Sequence, residues 1–368
     1  MHILHINGSR PWGGNEQQLI DMVIELEKLG VKNTIFCARD SELSKALKIA
    51  GIDFIEAPHS KFKNAENKKE YARVKKAIAP DIIHLHTSNA IMFFMKEYIF
   101  SKNKIPAILS KKGMGSSMSF FSKFKYNFKG IKKIICISKH TASQMREQII
   151  FKKNWSRLEV VYDGIQLDRM VKNEINLREK LDTKCDIKLV GNIANHTPAK
   201  DLHTFIKSIH HLVNTLGERK IHIVQIGAPS KHTQALKDEV THFKLSSYIT
   251  FLGAVPNASG LLPQLDAHVL TSEREGMGLV NYESFYYKIP VICTAAGGIP
   301  EVVKDRDTGR LAPIKDYKAI AQAIKDTLIE DLNTKKYVDK AYQELMENYT
   351  TGSTTKQIFN IYQKVIAL

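Results

Sequence analysis

Cysteine is scarce in this chain of 368 residues: there are four, at positions 37, 136, 185 and 293, with no C-x-x-C spacing. Scattered thiols in apolar stretches argue against a disulfide framework or a thiolate zinc site. All four are expected to be small buried hydrophobes. Long hydrophobic runs are also missing. Residues 131–137 form one of the longest, and two lysines interrupt it, whereas a bilayer-spanning helix needs about 20 apolar residues. Residues 1–8 read as a strand entering a glycine turn, without the basic, apolar and small-residue regions of a secretion signal, so a cytosolic location is expected. No fixed-period repeat or low-complexity tract stands out. Acidic residues are few in one half only: residues 1–170 hold 29 Lys and Arg against 16 Asp and Glu, whereas residues 171–368 hold 25 against 22. The net charge of +16 is therefore concentrated in the first half. Such a field suits an anionic partner: lipid, nucleic acid or acidic glycan.

What is present is an alternation of apolar runs with helix-like segments. Ile3 to Ile6, Thr34 to Cys37, Asp53 to Ile55, Asp81 to His86, Ala107 to Ser110, Ile134 to Ser138 and Leu158 to Tyr162 read as strands. Helical spacing runs from Glu16 to Leu29, and Leu43 to Ala50 ends at Gly51. A fresh series begins after the polar stretch 168–184, with strands at 187–190, 221–226, 249–252, 267–270 and 290–293. Repeated βα units of this kind predict an α/β protein of two doubly wound, Rossmann-like parallel-sheet domains. A ligand cleft between the two halves is expected.

The most informative stretch is Thr271-Ser272-Glu273-Arg274-Glu275-Gly276-Met277-Gly278-Leu279-Val280-Asn281-Tyr282-Glu283. One carboxylate stands in a glycine-rich turn and a second about one turn into the following helix. Between them lie the first helical amides, which lack intrahelical acceptors and carry partial positive charge. Such an end binds phosphate. A nucleotide diphosphate-sugar needs that order of groups: an acid at the sugar, amides at the diphosphate, an acid at the ribose.

This segment resembles the E-x7-E signature of glycosyltransferase family 4, a retaining group with the two-domain GT-B fold. The likeness continues through Lys288-Ile289-Pro290-Val291-Ile292, Gly297-Gly298-Ile299-Pro300-Glu301 and Thr308-Gly309. It implies that Glu275 faces the anomeric centre, that Gly276, Met277, Gly278 and Leu279 offer backbone amides to the donor, and that Glu283 receives ribose hydroxyls. Met277 stands where the family usually has an aromatic. Val190 to Asp201 resembles the family's phosphate loop: Lys200 matches its lysine, but Asn192 replaces its usual arginine, unless His196 or Arg274 compensates. Gly13 and Gly14, after the first strand, resemble a G-G-x-E loop that touches diphosphate or acceptor. The final helix is implied to cross back, so the domains are expected over 1–168 plus 354–368 (acceptor) and 169–353 (donor).

Other constellations read less directly. His84 and His86 share one strand face; no third metal ligand is visible at suitable spacing. His84 reads as a core histidine, and His86, at the strand's end, as a group for acceptor contact and catalysis. Where the family often has a further His, Lys111-Lys112-Gly113 stands. Asp305-Arg306-Asp307 matches a bare D-x-D but reads as a solvated loop. Residues 119–129, with Lys132 and Lys133 following, interleave aromatics with lysines. That pattern suits an anionic lipid surface or a core-facing helix with a basic outer side. It also suits stacking on single-stranded nucleic acid, but no nucleic-acid fold signature accompanies it.

The reading is a retaining glycosyltransferase. It is expected to move a sugar from a UDP-sugar, or next from GDP-mannose, to a hydroxyl of a lipid-linked or cell-surface glycan at the inner membrane face. Lipopolysaccharide or capsule synthesis is the implied context, and neither metal, cofactor nor nucleic acid is expected. Two alternatives remain open: a sugar-nucleotide epimerase or dehydrogenase on the same fold, and a non-catalytic membrane-associated or nucleic-acid-binding protein. The dehydrogenase would need G-x-G-x-x-G after strand one, which the residues from Gly8 to Gly14 do not provide.

Overall fold

The computed structural model describes residues 1–111, 120–329 and 332–367. Lys112, Gly113 and Ser119 of the segments above lie outside the described residues. The chain divides into two compact units: Met1–Gly164 together with the chain from Thr351 on, and Ile165–Thr350.

The first unit runs β1 (His2–Asn7), α1 (Gly14–Lys28), β2 (Lys32–Cys37), α2 (Glu42–Ala50), β3 (Phe54–Glu56), α3 (Ala65–Ile78), β4 (Ile82–Leu85), α4 (Ser88–Phe100), β5 (Ala107–Lys111), α5 (Phe120–Tyr126), β6 (Ile131–Cys136), α6 (Lys139–Gln148) and β7 (Leu158–Val160). Its seven strands are all parallel, in the order β3-β2-β1-β4-β5-β6-β7. Side chains alternate across the sheet with period two. Leu4, Phe36, Ile83 and Ile134 enter the core on one face, and Ile3, Ile35, Ile82 and Ile135 the core on the other. Each such fully buried side chain contributes roughly 1.5–3 kcal/mol. Local signals set the helix ends. Ser41 Oγ accepts from Ser44 N–H at 3.1 Å to start α2, and Asn64 Oδ1 accepts from Glu66 N–H at 2.8 Å to start α3.

The second unit runs α7 (Leu177–Lys180), β8 (Lys188–Ile193), α8 (Leu202–Asn214), β9 (Ile221–Ile226), α9 (Thr233–His242), β10 (Ile249–Gly253), β11 (Ala267–Leu270), α10 (Leu279–Tyr286), β12 (Val291–Thr294), β13 (Arg310–Ala312), α11 (Tyr317–Leu328) and α12 (Leu332–Asn348). Its six strands are parallel in the order β10-β9-β8-β11-β12-β13. The last helix, α13 (Thr351–Ile366), belongs to the first unit, where Ile361, Tyr362 and Val365 join the core of β1 and β2.

Two expectations are corrected. Cys37, Cys136 and Cys293 are buried, but Cys185 is exposed, because it lies in the polar stretch between α7 and β8. Burial pushes the Cys37 and Cys136 thiols up to about 12. A third imidazole, His5 of β1, does join His84 and His86, as described below. Among the described residues, no helix is long and apolar enough to cross a membrane.

Candidate active site

The second sheet starts at β8, runs outward to β10, then returns to add β11 on the other side of β8. Strand order therefore reverses between β8 and β11, and the loops leaving their C-terminal ends bound the crevice where open α/β sheets bind ligands. Lys200 lies on the first loop and Glu275 on the second. Glu273 and Arg274 N–H groups both donate to the Ala199 carbonyl, at 2.9 and 3.3 Å. Thr271 Oγ1 donates to the Lys200 carbonyl at 3.1 Å. So fastened, the loops bring Lys200 Nζ into an ion pair with Glu275 Oε2. Ser272 Oγ donates to the same oxygen at 3.2 Å.

A third loop supports Glu275 from behind. Gly298 N–H donates to the Gly276 carbonyl at 3.0 Å. A Cβ on Gly297, whose φ is +56°, would lie 1.8 Å from the Glu275 carbonyl oxygen. Only glycine allows that approach and that backbone region. The Gly297-Gly298 pair and the Glu275-Gly276 turn are thus one structural device.

Gly278, at φ +68°, ends the turn and caps α10 without a side-chain hydrogen bond. The first amides of α10 therefore carry the positive end of the helix dipole toward the loop. Met277 is buried, so its side chain is not open to a ligand. Glu283 sits in the fifth position of α10. It is partly exposed, yet desolvation of its carboxyl pushes the pKa up to about 7, against a smaller pull from Arg169.

Asn192 is corrected. β8 extends through Ile193, and Asn192 is fully buried within the sheet. Its Nδ2 donates to the Val269 carbonyl at 2.8 Å, and its Oδ1 accepts from Gln225 Nε2 at 3.3 Å. It offers no free surface to a phosphate. Nor does His196, buried between Thr233 Oγ1 and Gln225 Oε1, each at 2.7 Å. Arg274 is exposed, leaving Lys200 as the cation held at Glu275. Beneath Lys200, His268 is pushed down to about 3 by burial and, secondarily, by the Lys200 charge, so it is a neutral imidazole.

In the first unit, Gly13 caps α1 without a side-chain bond and Gly14 is exposed. Glu16 is buried instead, accepting from Asn7 Nδ2 at 3.2 Å and Asn15 Nδ2 at 3.1 Å. His86 is also moved indoors: it is 6% exposed and lines a cavity of roughly 20 Å³ with Asn15, Ser110, Thr351 and Thr355. Its Nε2 lies 3.1 Å from His5 Nδ1, and its ring centroid 4.2 Å from that of His84. His5 in turn meets Asn33 Oδ1 at 3.1 Å, and burial pushes its pKa down to about 4. Because Asn33 Oδ1 can only accept, His5 donates through Nε2 and accepts from His86 through Nδ1. His84 bonds the Tyr362 hydroxyl at 2.6 Å and Ser110 Oγ at 2.8 Å. The ligand atoms of His5, His84 and His86 lie within 4.8 Å of one another. A cation there would displace these bonds. Asp305 and Asp307 lie in an exposed loop; Asp305 accepts from Leu311 N–H at 3.0 Å, and Asp307 pairs with Lys340.

Two family models cover this architecture: Glycosyltransferase Family 4 matches residues 12–169, and Glycosyl transferases group 1 matches residues 173–344. The chain belongs to glycosyltransferase family 4. It is a glycosyltransferase with the two parallel-sheet α/β units of the GT-B fold. Among curated relatives, N-acetyl-alpha-D-glucosaminyl L-malate synthase of Bacillus anthracis is 24% identical over 294 residues, 78% of this chain and 75% of that protein. The putative teichuronic acid biosynthesis glycosyltransferase TuaC of Bacillus subtilis is 23% identical over 384 residues, 93% of this chain and 92% of its own. Among solved structures, HepE of Anabaena, crystallised with UDP and glucose, superposes with a TM-score of 0.83 at 19% identity. That match covers 99% of this glycosyltransferase and 100% of HepE.

Proposed function

We propose that this glycosyltransferase moves a sugar, with retention of anomeric configuration, from a UDP-sugar to a hydroxyl of a lipid-linked or cell-surface glycan. The observation that carries the reading is the Lys200–Glu275 pair at the reversal point of the second sheet, one loop away from the uncapped start of α10. HepE, crystallised with UDP and glucose, supports UDP as the nucleotide. TuaC, named for teichuronic acid biosynthesis, supports an envelope polysaccharide as acceptor.

In this scheme the α10 amides and the Lys200 ammonium receive the diphosphate and stabilise the charge that grows on it as the sugar leaves. Glu275 lies beside the anomeric carbon, where positive charge develops. Glu283 accepts from the ribose hydroxyls. The acceptor oxygen bonds to the anomeric carbon on the face from which the phosphate oxygen departs. The acceptor's proton passes to that oxygen, leaving UDP and the new glycoside. The scheme assigns no enzyme nucleophile and no metal; Lys200 and the helix amides carry the charge. In the first unit, the loop at Gly13 and Gly14 and the end of β4 face the acceptor, with His86 positioning from below. The reading includes contact of that unit with an anionic membrane on its cytosolic side, through exposed Ile99, Phe100 and Phe124 among exposed Lys96, Lys102, Lys123 and Lys129.

Proton NMR of the product formed from an α-linked UDP-sugar, with EDTA present throughout, tests the scheme. An α-glycoside is expected. A β-glycoside would refute retention, and activity lost to EDTA and restored by manganese would refute the metal-free assignment.

A further inference from the structure

This inference rests on the glycosyl-transfer reading and concerns its acceptor. The first sheet reverses its strand order between β1 and β4, so its ligand crevice opens past their C-terminal ends. The loops there are latched together. Gly8 N–H donates to Thr87 Oγ1 at 3.0 Å, and Asn89 Nδ2 donates to the Gly8 carbonyl at 2.8 Å. The latch fixes the start of α4, which has neither a side-chain cap nor an acid in its first turn.

Lysines gather at this positive helix end, where acids are the stabilising choice. Lys125 Nζ donates at 2.6 Å to Oγ of Ser88, the first residue of α4. Lys125 and Lys111, the last residue of β5, lie over the ring of Tyr126, at 5.0 and 5.7 Å from its centroid. Burial, and then repulsion from Lys125, holds the Lys111 ammonium below the usual lysine range; burial, and then repulsion from Lys63, does the same to Lys125. Among the described residues no carboxylate pairs with Lys63, Lys111 or Lys125. Residues 112–119, which continue from Lys111, contain one more lysine and no acid. Partly buried cations without a counter-ion are unfavourable, and an arriving anion relieves that cost.

We propose that Lys111 and Lys125, with Ser88 at the start of α4, bind an anionic group of the sugar acceptor, a phosphate or a carboxylate. The acceptor is then a charged saccharide or a saccharide phosphate, and the enzyme selects it against neutral sugars of the same shape. This site is separate from the donor diphosphate, which the second unit receives.

Ligand-observed NMR titrations with glucose 6-phosphate, glucuronate and glucose test this, on the wild-type protein and on Lys111→Gln/Lys125→Gln. UDP is titrated alongside. At least one anionic sugar should bind the wild type about tenfold more tightly than glucose, since a hydrogen bond to a charged group contributes roughly 1.5–3 kcal/mol. The double variant should lose the preference and bind UDP as the wild type does. Lys125→Gln alone, which leaves the partly buried Lys111 in place, should lose part of it. Equal binding of all three sugars by a wild type that binds UDP would overturn this inference and leave the donor assignment standing. Failure of the wild type to bind UDP would overturn the donor assignment instead. Phosphatidylglycerol vesicles separate a lipid source of phosphate from a sugar one. If the double variant leaves the vesicles yet keeps its sugar-phosphate preference, these lysines serve the membrane and the proposal fails.

Discussion

Lys200 and Glu275 meet across the reversal point of the second sheet, one from the loop after β8 and the other from the loop after β11. Their side chains retain 26% and 16% exposure, so removing either leaves a partly buried charge unpaired. Glu275→Gln keeps the shape and the bond to Ser272. It is predicted to lower transfer by roughly 10²–10³ while UDP affinity changes by less than about threefold. Lys200→Ala should lower both, because the lysine serves the diphosphate. Initial rates and calorimetry with UDP read the two apart. Equal losses of affinity and rate in Glu275→Gln would place that acid at the nucleotide instead.

Glu283 gives a pH signature of definite sign. Its carboxyl titrates near 7 in the folded chain, above its ordinary 4.5. The folded state therefore holds a proton between these values that the unfolded chain has released. Its contribution to stability is full below pH 4.5 and is lost as pH rises to 7. Glu283→Gln should consequently stabilise the protein at pH 8 by up to about 3 kcal/mol and by little at pH 4.5. Ribose hydroxyls donate best to the ionised form, so UDP affinity should rise with pH up to about 7 and then level. The variant should bind weakly and without that rise. A flat profile in the wild type would contradict ribose contact.

Gly297 is predicted to tolerate no side chain. Alanine would place its Cβ against the Glu275 carbonyl in a left-handed backbone region, so Gly297→Ala should cost about 2 kcal/mol or more. Transfer should fall more than tenfold as the Glu275 turn shifts. Thermal unfolding and rates that match the wild type would show that the two loops do not depend on one another.

Both sheets, apart from the three-residue edge strand β13, were legible in the sequence because the buried strands are short apolar runs ended by glycine or polar residues. β13 holds only Leu311 and Ala312 beside a charged arginine and shows no such run. Two helices were less so. α3 is rich in lysine and glutamate and buries little beyond Asn67, Tyr71, Val74 and part of Lys75. α4 is apolar almost all round, so no 3.6-residue stripe marks it. The pieces of the candidate site were visible as glycines and acids, but what joins them was not: the Gly298 bond to Gly276 ties the loop after β12 to the loop after β11, with α10 and β12 between them in the chain. Asn192 follows a glycine and looks like a loop residue, yet β8 continues past it and turns it inward. His5 and His86 are far apart in sequence, and only the pairing of β1 with β4 brings them together.

The exposed apolar residues of the first unit predict membrane contact. Phe100 is 86% exposed and Phe124 56%, and α4 packs on α5. Phe100→Ser with Phe124→Ser should release the protein from phosphatidylglycerol vesicles, as should Lys123→Gln with Lys129→Gln. Lys133, paired with Glu159 at 2.5 Å, should matter little. Co-sedimentation that survives both pairs of substitutions would refute the interfacial reading.

A crystal structure of the protein with an intact UDP-sugar tests the account most directly. The diphosphate should lie at the start of α10 within hydrogen-bond distance of Lys200, with Glu275 at the anomeric carbon and Glu283 at the ribose. Nucleotide density elsewhere in the second unit, with the Lys200–Glu275 pair closed and untouched, would contradict it.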